Sequence, residues 1–304
     1  MKYVFGPVFS RRLGLSLGID IIPYKTCSYD CIYCEVGRTT CKSVDTDSFV
    51  DLNELFSEIS IALRESNPEV LTFSGSGEPT LNQDLGEMIR RLKKMTEKKI
   101  AVLTNGSLLY KDEIREAVKA ADILMPTLSS VYEKTFVKIH RPHKYLKINR
   151  VIEGIKRCRD EFRGEFQLEV MIVKGINDNM KEISALKEVV DEIEPDSIQL
   201  NTVVRPPPKG LDLRVEEEKM GDIARVFGKK AEVISYRGQR KGEAHLLDIE
   251  RKIVEMAKRR PIRVEDIEYL FKGEKEIKGV LEGLIRHKRI WRYRYGDNIF
   301  FKSI

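Results

Sequence analysis

The strongest constraint on this chain is an alternation that runs through most of its length. Short β-type apolar runs at 15–22, 70–73, 100–103, 123–128, 166–173, 197–204 and 231–234 exchange with stretches of helical periodicity. The helical stretches fall at 51–64, 85–92, 114–120, 145–162, 180–193 and 215–227. In the first of them Leu52, Leu55, Phe56, Ile59 and Leu63 recur at the spacing of one helix face. Repeated strand-then-helix units predict an α/β fold, a parallel sheet with helices outside it. About six such units suit a full or partial (β/α)6-type barrel. A doubly wound open sheet satisfies the same periodicity and stays as the alternative.

Residues 1–15, with Gly6-Pro7 and Arg11-Arg12, read as an irregular lead-in. After residue 236 the pattern changes. Residues 237–244 are polar, carry Gly238 and Gly242, and read as a linker. Residues 245–304 then give helices at 247–257, 264–271 and 275–287. An aromatic–basic alternation, Trp291-Arg292-Tyr293-Arg294-Tyr295, turns at Gly296-Asp297-Asn298 and returns through Ile299-Phe300-Phe301. Three helices and a hairpin predict a small winged helix-turn-helix domain behind a barrel domain of residues 1–236.

Charged residues make up 34% and hydrophobic residues 41%, enough for a sizeable core, and the net charge of +6 is too mild to declare a nucleic-acid binder. No apolar run approaches the roughly 20 residues of a membrane span, so no membrane partner is expected. The N-terminus lacks a signal-peptide pattern. The five cysteines cluster rather than spread, which points to a reducing cytoplasm.

Three of those cysteines, Cys27, Cys31 and Cys34, occupy eight residues directly after the first strand, with Tyr33 before the last. Structural zinc usually has four protein ligands, whereas soft thiolates suit iron–sulfur chemistry in which one iron stays open. A zinc knuckle completed by Cys41 is the competing reading. Loops leaving later strands form a set with this one: Gly75 to Thr80, Thr104-Asn105-Gly106, Ser129-Ser130 and Asn201-Thr202. In a β/α barrel such loops build the active site. Glycines let backbone approach a ligand closely, and Glu78 or neighbouring peptide groups can receive an ammonium.

Cys27-x3-Cys31-x2-Cys34 with Tyr33, followed by Gly77-Glu78-Pro79 and Thr104-Asn105-Gly106, resembles the radical S-adenosylmethionine superfamily. Four further segments are similar to the iron–sulfur oxidoreductases grouped with wyosine-type tRNA synthetases. They are 5–14 (with Arg11-Arg12), 73–80, Val173-Lys174-Gly175-Ile176-Asn177 and Gln199-Leu200-Asn201. The resemblance implies that Cys27, Cys31 and Cys34 hold a [4Fe–4S] cluster whose fourth iron chelates S-adenosylmethionine. It implies that Tyr33 lies along the adenine, Gly77 and Glu78 meet the amino group, and Thr104 belongs to the same cofactor-binding rim. Asn105 and Ser129 flank the ribose or carboxylate, and Asn201 edges the adenine. It implies reductive cleavage to methionine and a 5′-deoxyadenosyl radical that takes hydrogen from a substrate, fed by a reducing electron donor. Wyosine synthetases carry a second cluster; here Cys41 and Cys158 are too few for one.

Cys41 reads as a redox thiol or a bystander. The basic stretch 138–144 reads as a solvated loop or a seat for an anionic substrate, and Lys174 and Arg205 as substrate-facing residues at strand ends. His140 and His143 do not form a metal-ligand pattern. The tail from residue 245 holds 15 Lys or Arg against 10 Asp or Glu, with Arg286 to Arg289 closing its third helix. Two functions follow. The first is a radical S-adenosylmethionine enzyme acting on an RNA nucleoside or a protein or peptide side chain. The second is a redox-sensing iron–sulfur protein that binds nucleic acid through the winged helix.

Overall fold

The computed structural model describes residues 1–205, 212–234, 249–270, 277–296 and 298–304. Pro206 to Pro208, the expected linker at 237–244, the starts of the helices expected at 247 and 275, and Asp297 lie outside the described residues.

The chain opens with an antiparallel hairpin of β1 (Val4–Ser10) and β2 (Gly14–Ile19). This corrects the irregular lead-in. Val4, Phe5 and Val8 are buried strand formers. Their alternation is hidden in the sequence because the register shifts between Phe5 and Val8, around Pro7. Proline is tolerated at such a bulge on an edge strand, where its missing N–H breaks no ladder bond.

A two-residue ladder of β3 (Thr26–Cys27) and β4 (Cys41–Lys42) follows. Then come α1 (Leu52–Glu65), β5 (Val70–Phe73), α2 (Leu85–Met95), β6 (Lys99–Thr104), α3 (Asp112–Val118) and β7 (Ile123–Pro126). Asp51 caps α1, its carboxylate accepting from the N–H groups of Asn53 and Glu54. Next are α4 (Glu133–His140), α5 (Ile148–Glu161), β8 (Glu165–Ile172), α6 (Met180–Ile193), β9 (Ser197–Thr202), α7 (Glu217–Phe227) and β10 (Ala231–Val233). The helix α4 is a second correction. Lys138, Arg141 and Lys144 make this stretch look like a solvated loop, yet Phe136, Ile139 and His140 share a buried face. Arg141, at φ 42°, then ends the helix in the left-handed region.

The main sheet has the order β1-β2-β5-β6-β7-β8-β9-β10, parallel from β2 onwards. β1 and β10 remain its two edges among the described residues, so the barrel is partial. One face of each strand packs against the helices: Leu17, Leu71, Val102, Leu124, Leu168, Val170 and Leu200 join Ile59, Ile89, Val118, Ile155, Leu186 and Ile223 in one core. Side chains alternate along a strand, so the opposite face carries Ser16, Thr72, Gln167, Glu169, Gln199 and Asn201. A closed eight-stranded barrel fills its centre with branched apolar residues. This inner face is mixed instead: Val70, Ala101 and Ile123 form a small apolar cluster over β5 to β7, and the polar residues gather over β8 and β9.

The C-terminal segment forms α8 (Ile249–Arg259), β11 (Ile262–Arg263), α9 (Val264–Leu270), α10 (Ile277–Arg286), β12 (Ile290–Tyr295) and β13 (Asn298–Ser303). Its sheet is antiparallel in the order β11-β13-β12, compatible with the expected helices and hairpin. Ile253, Ala257, Ile267, Leu281 and Phe301 share a core with Phe5, Val8 and Leu15, which docks the segment on the opening hairpin. Among the described residues no helix is long and apolar enough to cross a membrane.

Candidate functional site

The cysteine loop is held at both ends and in the middle. The β3–β4 ladder clips its base, with the Cys41 N–H donating to the Lys25 carbonyl at 3.1 Å and the Ser43 N–H to the Cys27 carbonyl at 3.1 Å. Its centre rests on the end of α4, where the N–H groups of Asp30 and Ile32 each reach a carbonyl, of His140 and Ile139, at 2.9 Å. Tyr29 fills the space beneath, packed on the rings of Phe136 and His140. The helix absent from the sequence reading is therefore the platform for the loop.

The glycine loop after β5 lies directly on this base. The Lys25 N–H donates to the Ser76 carbonyl at 2.9 Å, and the Glu78 N–H to the Thr26 carbonyl at 3.2 Å. A Cβ on Gly77 would stand 2.0 Å from that Thr26 oxygen, which explains the glycine. Gly75, at φ 149°, faces the Asp20 carboxylate, which accepts from the Ser76 N–H at 3.0 Å and hydroxyl at 2.6 Å. Arg259 of α8 approaches the same carboxylate at 3.4 Å.

Glu78 is buried, and its carboxylate is fully engaged. One oxygen accepts from the Thr80 N–H (3.1 Å) and from the hydroxyls of Thr80 (2.7 Å) and Thr104 (2.6 Å). The other accepts from the Asn105 N–H at 2.7 Å. Burial nevertheless holds this carboxyl above the usual carboxylate range. The side chain ties the β5 loop to the β6 loop, so peptide groups of Gly77 and its neighbours are what the loop offers to a ligand.

Asn105 continues this network to the cysteines, donating from Nδ2 to the Ser28 hydroxyl at 2.8 Å and to the Cys27 sulfur at 3.5 Å. Gly77, Glu78, Thr104 and Asn105 thus form one connected group with Cys27. Ser129, Asn201 and Tyr33 lie along the β7–β9 side. The Ser129 hydroxyl accepts from the Met171 N–H at 3.4 Å, and Tyr33 packs with Met171, Val173 and Val203. Asn201 donates to Glu169 at 3.2 Å. Glu169 also pairs with Arg12 at 2.7 Å and accepts from the Thr127 hydroxyl at 2.9 Å. The Arg12 guanidinium holds that carboxyl below its ordinary range in spite of burial.

Each of the three sulfurs has one nitrogen beside it. Asn105 meets Cys27, His140 Nδ1 lies 3.3 Å from Cys31, and Lys25 Nζ donates to Cys34 at 3.2 Å. Burial pushes His140 down to about 3, so its ring is neutral. Burial raises the Cys27 thiol to about 12, with Glu78 adding to the effect, and places Cys31 well above its ordinary value. Such thiols need a cation's charge to become thiolates. All five cysteines are free. Among the described residues no three His, Cys, Asp or Glu side chains converge on a single ion. Cys41 is exposed in the β3–β4 clip, where it pairs with Thr26. Three soft ligands, each with a nitrogen beside its sulfur, suit the corners of a [4Fe–4S] cluster better than a single ion.

Sequence reasoning missed Lys25, Asp20, Glu35, Arg12 and Glu169. Arg12 lies within a quoted segment, but nothing local signals that it crosses 157 positions to reach Glu169. Arg205, expected at a strand end, pairs with Glu35, the residue after Cys34, at 2.9 Å. Lys174 instead pairs with Asp212 at 2.6 Å on the surface.

The family model described as the Radical SAM superfamily matches residues 21–187. A UPF0026 protein of Methanocaldococcus jannaschii is 32% identical over 310 residues, covering 99% of this chain and 96% of that protein. A Brachyspira hyodysenteriae protein named GTPase Obg is 39% identical over 227 residues, 74% of this chain. The matched part is 33% of that relative, so the chain spans about a third of its length. Among solved structures, TYW1 with a lysine-pyruvate adduct bound shares the fold at a TM-score of 0.55 and 16% identity, covering 73% of this chain and 75% of its own. The family match takes in more than half of the residues, the cysteine loop among them, and by it the chain belongs to the radical SAM superfamily.

Proposed function

We propose that this radical SAM enzyme holds a [4Fe–4S] cluster on Cys27, Cys31 and Cys34 and binds S-adenosylmethionine at the iron they leave unligated. When bound and reduced by an external donor, this pair supplies cleavage of the sulfonium to methionine and a 5′-deoxyadenosyl radical that takes hydrogen from a substrate. The protein's own part is positioning and exclusion of water. Gly77 brings peptide groups close enough for the amino group, while Glu78 and Thr104 fix the Asn105 backbone beside Cys27. Tyr33, Ser129 and Asn201 line the side on which the nucleoside part would lie. The polar part of the sheet's inner face, with Glu169 and Asn201 at its centre, is where a substrate would meet the radical.

The observation that carries this reading is the placement of one nitrogen beside each cysteine sulfur, two of them from residues, Lys25 and Asn105, that are bonded to the Ser76–Glu78 loop. The substrate we favour is an RNA nucleoside, with a protein or peptide side chain as the alternative. Support comes from the C-terminal segment, read as a winged helix. Lys288, Arg289, Trp291, Arg292 and Arg294 are exposed around the end of α10 and along β12. Base stacking and phosphate pairing need this combination of residue types. The redox-sensor reading gives no use for the network joining Gly77, Glu78 and Asn105.

The test is anaerobic reconstitution with iron and sulfide, then incubation with dithionite and S-adenosylmethionine, with and without total RNA. Formation of 5′-deoxyadenosine, lost in Cys31→Ala, is expected. A loaded cluster that yields none under either condition refutes the catalytic reading.

A further inference from the structure

Four arginines gather where the barrel rim meets the C-terminal segment: Arg11 from the β1–β2 turn, Arg205 just after β9, Arg260 just after α8, and Arg263 of β11. Two carboxylates stand among them within the described residues. Glu35 takes Arg205 Nη1 on both oxygens, at 2.9 and 3.2 Å. Asp266 takes Arg263 at 2.7 and 3.2 Å and lies 3.8 Å from Arg205 Nη2. Both acids are thus engaged by Arg205 and Arg263.

Arg260 is different. Its Nε is fully buried and has no hydrogen-bond partner among the described residues. Burial, with Arg205 and Arg11 nearby, lowers it to about 10, although Glu35 and Asp266 act the other way. A guanidinium taken out of water is strongly disfavoured unless it is paired. Among the described residues the four arginines and two acids leave an excess of positive charge, which an anion would offset. Arginine forks match the oxygens of phosphate better than any other side chain does. Glu35 follows Cys34 directly, so this seam adjoins the cysteine centre.

We propose that Arg260, together with Arg205 and Arg11, seats a phosphate group of the substrate at this seam, so that the C-terminal segment completes the active site. The phosphate is either a terminal monoester or a diester of a nucleic-acid backbone. Only its description as substrate rests on the function proposed above; the seat is testable without turnover.

The experiment is calorimetric titration of the full reconstituted chain with inorganic phosphate, dimethyl phosphate and acetate at constant ionic strength. Phosphate or dimethyl phosphate is expected to bind at least tenfold more tightly than acetate, an order-of-magnitude expectation for forked phosphate recognition. Preference for inorganic phosphate assigns a monoester, and preference for dimethyl phosphate assigns the backbone. Arg260→Gln is expected to weaken that binding about tenfold, and Arg260→Lys, which keeps charge but loses the fork, by less. Equal binding of acetate, or unchanged binding in both variants, overturns the seat. If Arg260→Gln does not fold, Arg260→Lys decides alone. Cluster absorbance and 5′-deoxyadenosine are measured on the same samples. Phosphate binding without any cleavage leaves the seat standing and removes the cofactor reading instead.

Discussion

Replacement of Gly77 by alanine tests the central joint of the site. The added Cβ would stand 2.0 Å from the Thr26 carbonyl oxygen and 2.5 Å from Ile22 Cγ2, while real Cβ contacts essentially never fall under 3.0 Å. The nearest obstacle is backbone, so the glycine loop must move by about an ångström away from the base of the cysteine loop. That displacement strains two bonds, Glu78 N–H to Thr26 and Lys25 N–H to Ser76. Overpacking costs about 1–3 kcal/mol and each of the two weakened hydrogen bonds about 0.5–1.5 kcal/mol, giving roughly 2–6 kcal/mol in all. In a domain of this size that lowers Tm by about 5–15 °C. Iron and sulfide content should be retained, since no cysteine is touched, while S-adenosylmethionine affinity falls at least about tenfold. The matched control is Gly221→Ala in α7, where nothing lies within 4 Å. There alanine should be neutral or stabilise by about 0.5–1 kcal/mol. Differential scanning calorimetry and equilibrium binding check both. A Gly77→Ala protein with the Tm and affinity of the parent refutes the argument that close backbone approach sets this position.

Other outcomes follow from the same geometry. Lys25→Met removes the cationic donor from Cys34 and is expected to lower the midpoint potential of the reconstituted cluster, on the order of 60 mV for a charge-assisted bond of about 1.4 kcal/mol; EPR-monitored titration reads it, and an unchanged potential counts against the contact. Cys41→Ser should keep full iron and sulfide, because Cys41 is exposed and outside the three-cysteine set; loss of iron would favour the four-ligand reading. In the metal-free protein at pH 8, iodoacetamide should label Cys41 and spare Cys158, whose thiol burial pushes up to about 12. Its labelling rises about tenfold per pH unit as thiolate appears, and peptide mass mapping shows the order. Binding of RNA through the exposed basic residues should weaken steeply with salt, and a flat response removes that role.

The parallel strands and most of their helices were legible because the apolar faces keep a strict period. The rim loops were legible because glycine, threonine and asparagine follow each strand at once. Local pattern could not reveal β1, whose alternation is broken at Pro7, or α4, whose buried Phe136, Ile139 and His140 run into the basic Lys138, Arg141 and Lys144. The supporting partners were out of reach for another reason. Lys25 reaches Cys34 across nine positions, but His140 reaches Cys31 across 109 and Arg12 reaches Glu169 across 157. Such contacts depend on the folded sheet and leave no periodic trace. Glu78 shows the opposite limit. Its motif marked the right place, while its four donors show that the carboxylate braces the loop from within.

The polar part of the sheet's inner face separates two jobs that most cores combine. The larger apolar core that secures the strands lies on their outer side, against the helices, with a small cluster around Val70, Ala101 and Ile123 on the inner one. Glu169, Gln167, Gln199 and Asn201 contribute little of that packing. Exchanges at Gln167 and Gln199, whose buried Oε1 atoms accept no hydrogen bond among the described residues, should therefore alter what the inner face accepts at little cost in melting temperature. Glu169, paired with Arg12, should not be exchangeable so cheaply. A lineage built this way can change its substrate in small steps without first repairing its fold, and a designer can do the same from the inside of the sheet.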